Sequence, residues 1–384
     1  MIYYGKQSIS QEDIDAVVNV LKSEFITQGP QAKSFESSMC KYTGASYALA
    51  CSHGTAALHL ACLALDIGCG DIVWTSPNSF VASANCALYC GADIDLVDID
   101  SDSLNLSVEQ LSEKLEISKR NNTLPKALII VHFAGNPCDM EAIKKLSELY
   151  SFFIIEDASH ALGASYQDHK VGKCVYSDIT TFSFHPVKSI TSGEGGMLLT
   201  NSIELAEKAR LYATHGITRD KSALENQHEG EWFYEQQLLG FNYRITDIQA
   251  ALGLSQLKRL DTFIEKRKSI SDYYESQLSG LPIISTQVIK QEVMSAYHLY
   301  PISIADCDIK RKMDVFGMMK ANGVMCNCHY IPIHLQPYYQ RKGFRIGDFP
   351  NAEKYYASSL SLPIYPDLSE LDQKHVIASL NKCF

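Results

Sequence analysis

Residues 127–157 decide the fold. Ala127-Leu128-Ile129-Ile130-Val131-His132-Phe133 is an almost unbroken apolar run, Met140 to Tyr150 carries apolar residues at helical spacing, and Phe152-Phe153-Ile154-Ile155-Glu156-Asp157 is a second apolar run. A run without polar alternation suits a strand buried on both faces, and two such strands joined by a helix form a parallel βαβ unit. Working outward, Asp71 to Thr75, Ile179 to Phe184 and Met197 to Thr200 read as further strands. Gln11 to Ser23 and Thr55 to Leu65 read as helices, the latter opened by Ser52-His53-Gly54. The expected architecture is α/β: a large, mostly parallel α/β/α domain over residues 1–250. After Asp247 the texture changes. Ile248 to Gln277 reads as one long bridging helix, followed by a smaller C-terminal α+β domain completing residues 251–384. In it we expect strands at His298 to Ile304 and Val324 to Tyr330, and helices at Ile309 to Asn322 and Ser369 to Lys382. Asp220 to Glu231, polar and without periodicity, is the expected flexible loop.

The chain has 384 residues and a formal net charge of −10, so it lacks the basic surplus with which a general nucleic-acid binder displaces counterions. No apolar stretch approaches the roughly 20 residues of a membrane span, and the polar opening Met1 to Ser10 lacks a secretory core. A cytoplasmic location is the expectation. The 12 cysteines contain no Cys-x-x-Cys pair, and Cys326-x-Cys328-His329 has no second half at zinc spacing, so free thiols in a reducing compartment and no metal are expected.

Chemistry gathers where strands end, because ligands bind beyond the carboxyl ends of parallel strands. Lys188, in Ser183-Phe184-His185-Pro186-Val187-Lys188, follows a strand, and a desolvated lysine there can form a Schiff base with a carbonyl. A lone loop lysine is ordinarily a surface group. Asp157 ends another strand and could keep a pyridine nitrogen protonated, although it could equally cap a helix beginning at Ala158. Ser52-His53-Gly54-Thr55 precedes a helix, where free N–H groups hold phosphate, against simple capping by Ser or Thr. Ser183 could add a hydroxyl to the same phosphate. Phe80 could stack on a flat ring, against the commoner role of core aromatic. Gly193-Glu194-Gly195-Gly196 lacks the lysine of a P-loop and reads as a tight turn into the next strand. Taken together, a phosphate cradle, a ring stacker, a carboxylate and a Schiff-base lysine are the needs of pyridoxal 5′-phosphate (PLP).

The chain resembles the sugar aminotransferases of the DegT/DnrJ/EryC1/StrS family over essentially its full length. The resemblance rests on Gly54-Thr55-Ala56-Ala57-Leu58, on Glu156-Asp157-Ala158-Ser159-His160-Ala161-Leu162-Gly163, and on Ser183 to Lys188. It rests also on Gly193 to Gly196 and on Gly240-Phe241-Asn242-Tyr243-Arg244 with Asp247, Gln249, Ala250 and Ala251. Within the family it is most similar to the members that aminate C4 of a UDP-linked 4-keto-6-deoxy-N-acetyl sugar in pseudaminic-acid synthesis. That similarity lies around Tyr4, in Glu24-Phe25-Ile26-Thr27-Gln28-Gly29 and in Cys328-His329-Tyr330-Ile331-Pro332.

The resemblance implies the PLP-dependent fold type I and a homodimer with shared active sites. It implies that Lys188 links to the cofactor, that Asp157 pairs with its ring nitrogen, that His160 lies near its O3′ side, and that Phe80 stacks on the ring. Gly54, Thr55 and Ser183 would bind the phosphate, with Asn242 from the other subunit. Tyr4, Glu24, Phe25, Ile26, Thr27, Gly54, Ser183, Asn242, Asn327, Cys328, His329 and Tyr330 match positions that hold the nucleotide sugar, although Cys328 stands where an aliphatic residue is expected. L-glutamate is the implied amino donor. The rival readings are an aminotransferase for a different UDP- or dTDP-ketosugar, a dehydratase, which would carry histidine in place of Lys188, and a non-catalytic PLP-binding regulator.

Overall fold

The computed structural model describes residues 1–226, 230–281 and 284–384. Seven strands form the central sheet: β1 (Tyr47–Cys51), β2 (Ile72–Thr75), β3 (Asp93–Leu96), β4 (Ala127–Val131), β5 (Phe153–Asp157), β6 (Ile179–Ser183) and β7 (Gly196–Thr200). Their spatial order is β1-β7-β6-β5-β4-β2-β3. Pairing is parallel from β6 through β5, β4 and β2 to β3, whereas β7 runs antiparallel to both neighbours. Six strands therefore point the same way, and the loops after β1, β2, β5 and β6 leave from one end of the sheet.

Burial explains the apolar runs. β4 is buried at every position, and β5 at every position but Phe153. Alternate residues of a strand face opposite sides. Ala48, Ala50, Met197 and Leu199 pack with Phe35 and Met39 of the helix Pro30–Thr43, while Leu49, Cys51 and Leu198 pack with the helix Gly54–Ala64. Helices cover both faces, as the α/β/α reading requires.

The single helix expected over Ile248 to Gln277 is two helices, Asp247–Leu257 and Leu260–Leu278. At the break the N–H groups of Lys258 and Arg259 bond three residues back, to the carbonyls of Ser255 and Gln256 (3.2 and 3.0 Å). Arg259 is turned onto Asp13, a fully buried carboxylate that also accepts from Gln256 Nε2 at 2.6 Å. No Gly or Pro marks this tertiary event, so the helical periodicity runs straight through it. The second helix does the bridging: Phe263 and Ile264 join the core on one face of the main sheet, and Ile270, Tyr274 and Leu278 join a separate C-terminal core.

That C-terminal core is built on an antiparallel sheet of Ile284–Thr286, Tyr300–Ile304 and Ser359–Leu362, with helices Ile309–Ala321 and Glu370–Asn381. Ile2–Tyr3 pairs in parallel with Val324–Met325, so the chain's first residues lie in this C-terminal layer. The strand expected over Val324 to Tyr330 ends at Met325. Beyond it the Asn327 side chain accepts from the Cys328 N–H (2.8 Å), a local bond that competes with a ladder. Of the loop expected at Asp220 to Glu231, positions 227–229 lie outside the described residues. Its start is a short 3₁₀ turn, Lys221–Ala223, capped by Asp220. Among the described residues no helix is long and apolar enough to cross a membrane.

Candidate active site

The loops after β1, β2, β5 and β6 enclose a cavity of about 740 Å³, closed on the far side by residues 298 and 327–330 from the C-terminal part. Each loop contributes what its strand end allows. After β1, His53 caps the helix Gly54–Ala64, its Nδ1 accepting from the Ala56 N–H at 2.9 Å. The cap is thus His53 rather than Ser or Thr, and the N–H groups of Gly54 and Thr55 take no partner among the described residues. At a helix start such donors suit an anion. Glycine is required at position 54 by close approach, since a Cβ there would lie 2.7 Å from Ser183 Cβ.

At the end of β5, Asp157 is buried, and no helix follows it. Its Oδ1 accepts from the Ser159 N–H (3.2 Å) and hydroxyl (2.6 Å), and its Oδ2 accepts from the Ser83 hydroxyl (2.6 Å), which lies 2.6 Å from Ser79 Oγ. These bonds aim the carboxylate and leave it lone pairs for one more donor. The next residue inward, Glu156, is a buried anchor: His132 Nε2 lies 2.7 Å away, and Ser177 and Thr180 also donate to it. Because His132 Nδ1 accepts from the Cys138 N–H, its hydrogen sits on Nε2 and points at Glu156.

Lys188 follows β6 and lines the same cavity. Burial pushes its ammonium down to about 8, against the opposing pull of the Asp157 carboxylate. No ion pair closes on it among the described residues. Phe80 is not a core aromatic: 58% of it is exposed, at the cavity, 6.3 Å from the Tyr330 ring.

Three histidines meet beside Lys188. His160 lies parallel to Tyr330, whose hydroxyl is 3.0 Å from His160 Nε2, and its Nδ1 is buried without a partner. Burial, then the charge of Lys188, holds His160 well below the usual histidine range. His329 is fixed through Nδ1 to the Ser361 hydroxyl (2.9 Å), and the same two causes push it down to about 3. His298, from the C-terminal part, packs 4.4 Å from His160. Sequence alone places His53 in the anion-binding segment but not as its cap, and assigns no role to Ser79, Ser83 or His298. His298 in particular comes from the other side of the bridging helix, and nothing in its local sequence marks it.

Gly54, Thr55, Phe80, Asp157, His160, Ser183, Lys188, Tyr4, Asn327, Cys328, His329 and Tyr330 are all brought to this cavity. Cys328 Sγ accepts from the buried Lys312 ammonium at 2.9 Å. Asn242 and Glu24 to Thr27 are not brought there. They are exposed on the chain's own surface, where Thr27 bridges Thr246 and Asn242 bridges Thr214. Such a cavity, with a buried amine, an aimed carboxylate and an anion-binding helix start, can bind a phosphorylated carbonyl compound and form a Schiff base with it.

The family model of the DegT/DnrJ/EryC1/StrS aminotransferases matches residues 7–381. The chain belongs to that family. A relative from Campylobacter jejuni, named UDP-4-amino-4,6-dideoxy-N-acetyl-beta-L-altrosamine transaminase, is 37% identical over 98% of this chain and 96% of its own length. Helicobacter pylori PseC, an aminotransferase of pseudaminic-acid biosynthesis, superposes with a TM-score of 0.90 at 31% identity, covering 100% of this chain and 99% of its own. The Spr1654 protein of Streptococcus pneumoniae, solved in its PMP form, gives a TM-score of 0.91 at 27% identity, covering 100% and 99% of the two chains. The chain is therefore a PLP-dependent sugar aminotransferase.

Proposed function

We propose that this aminotransferase moves an amino group from L-glutamate to C4 of a UDP-linked 4-keto-6-deoxy-N-acetyl sugar. It would thereby act as the UDP-4-amino-4,6-dideoxy-N-acetyl-beta-L-altrosamine transaminase of pseudaminic-acid biosynthesis, as a cytoplasmic homodimer. The observation that carries the reading is the convergence of Lys188, Asp157 and the open helix start at Gly54-Thr55 on one cavity. When bound, PLP supplies an electron-withdrawing ring.

The chain's own residues do the rest. Gly54, Thr55 and Ser183 would hold the cofactor's phosphate, Phe80 would stack on its ring, and Asp157, kept in place by Ser83 and Ser159, would hold the ring nitrogen's proton. Tyr330 is buried, which raises its hydroxyl well above the usual range, so it keeps its proton and can donate to His160 Nε2. In that arrangement His160 would carry hydrogen on its unpartnered Nδ1, available to an oxygen of the cofactor. Lys188, with its lowered proton affinity, carries protons to and from the reacting carbon as general base and acid. Tyr4 and Asn327 to Tyr330 form the side wall that takes the sugar nucleotide.

Exposure of Asn242 and of Glu24 to Thr27, with Phe25 and Ile26 half-exposed apolar residues, supports a second copy placing these residues over its partner's cavity. The test is a panel of UDP- and dTDP-ketosugars with glutamate, including the 5-epimerised 4-keto sugar and its unepimerised counterpart, and product stereochemistry by NMR. Preference for the epimerised UDP sugar is expected. Preference for the unepimerised one assigns the enzyme to a different ketosugar.

A further inference from the structure

His298 is 4% exposed and lines the cavity, yet neither ring nitrogen bonds to the protein among the described residues. Buried polar atoms are nearly always paired, so an unpaired one on a ring that lines a binding cavity points to a ligand. The ring's placement is firmly built. The His298 N–H donates to the Ala134 carbonyl (2.9 Å), and the His298 carbonyl accepts from Arg267 Nη1 (3.2 Å). Arg267 is itself 1% exposed, bonds only backbone carbonyls, leaves its Nε unpaired and enters no ion pair among the described residues. A buried cation without a carboxylate is costly unless an anion meets it.

The cavity's own acids do not fill that role. Asp157 is engaged by Ser83 and Ser159, and Glu194 stands exposed. Burial first, then neighbouring charge, holds His298 well below the usual histidine range, so its ring offers one N–H donor, with Lys188 and Arg267 as the nearby cations. That combination selects a small carboxylate over a sugar hydroxyl.

We propose that His298 receives the α-carboxylate of the amino donor, with the uncompensated charge of Arg267 behind it. The assignment rests on the aminotransferase reading and deepens it. In holoenzyme without sugar, the cofactor spectrum reports conversion by L-glutamate, and calorimetry reports binding of glutarate, a dicarboxylate without an amine. His298→Phe keeps the ring packing and removes both nitrogens. It should raise half-saturating glutamate about tenfold or more and weaken glutarate comparably, the loss of a hydrogen bond to a charged group. γ-Aminobutyrate, which lacks the α-carboxylate, should change less than about twofold on the same scale. His298→Asn, which keeps a donor, should recover part of the loss. Unchanged glutamate and glutarate in a folded, cofactor-loaded His298→Phe overturns the proposal. So does an equal loss for glutamate and γ-aminobutyrate, which would make the ring a packing element. If wild-type enzyme shows no conversion by glutamate, the donor assigned above falls, and glutarate binding alone decides His298.

Discussion

At the scale of single residues, Lys188 is set by opposing influences. Burial disfavours its charge and Asp157 favours it, and the balance leaves it at about 8. The sign follows: below that pH the group is an unreactive ammonium, and above it a free amine. Acetylation of Lys188 by acetic anhydride in cofactor-free protein, followed by mass spectrometry, should therefore rise with pH and level off above about 8. Asp157→Asn removes the group that pulls the value up, so the midpoint should move to lower pH. A midpoint in the ordinary lysine range would contradict the burial. Both residues were legible in the sequence because each follows an apolar run that could only be a buried strand. His298 was not, because its importance comes from packing on His160, and no spacing along the chain encodes that contact.

Among the elements, β5 depends on the residue before its functional end. Burial alone would raise the Glu156 carboxyl, but hydrogen bonds from His132, Ser177 and Thr180 outweigh it and hold Glu156 below the usual carboxylate range. Its contribution to stability is therefore complete above the ordinary glutamate range and lost as pH falls through the lower folded value. Glu156→Ala leaves the buried His132 Nε2–H without its acceptor and should cost about 1–3 kcal/mol, read by chemical denaturation at neutral pH. The gap between wild type and variant should narrow in acid. A cost near zero would mean that other contacts hold the strand end. Strands such as β4 and β5 were readable because burial on both faces removes polar alternation. The reversed direction of β7 was not, since Gly196–Thr200 carries the same apolar pattern whichever way it runs. The break at Lys258-Arg259 was hidden for a similar reason: Arg259 is drawn to Asp13, far away in sequence.

For the whole molecule, the proposed dimer makes a quantitative expectation. Lys188→Ala and Asn242→Ala subunits should each be impaired alone. In a mixed dimer one site carries both lesions and the other carries neither, so mixing after reversible dissociation should restore activity that neither homodimer shows. No restoration would place Asn242 outside the shared site. The sequence pattern could suggest residue 242 only through family resemblance, because a residue that acts on another chain leaves no trace in the burial pattern of its own.

The parallel pairing of Ile2–Tyr3 with Val324–Met325 also bears on how the enzyme is made. During synthesis Ile2–Tyr3 is made long before Val324–Met325, the strand it must lie against. Tyr4, the residue after Tyr3, reaches the cavity wall only when this late partner arrives. The main sheet can form before that segment is made, whereas the cavity wall that carries Tyr4 is completed only after residues 324–325 have been synthesised.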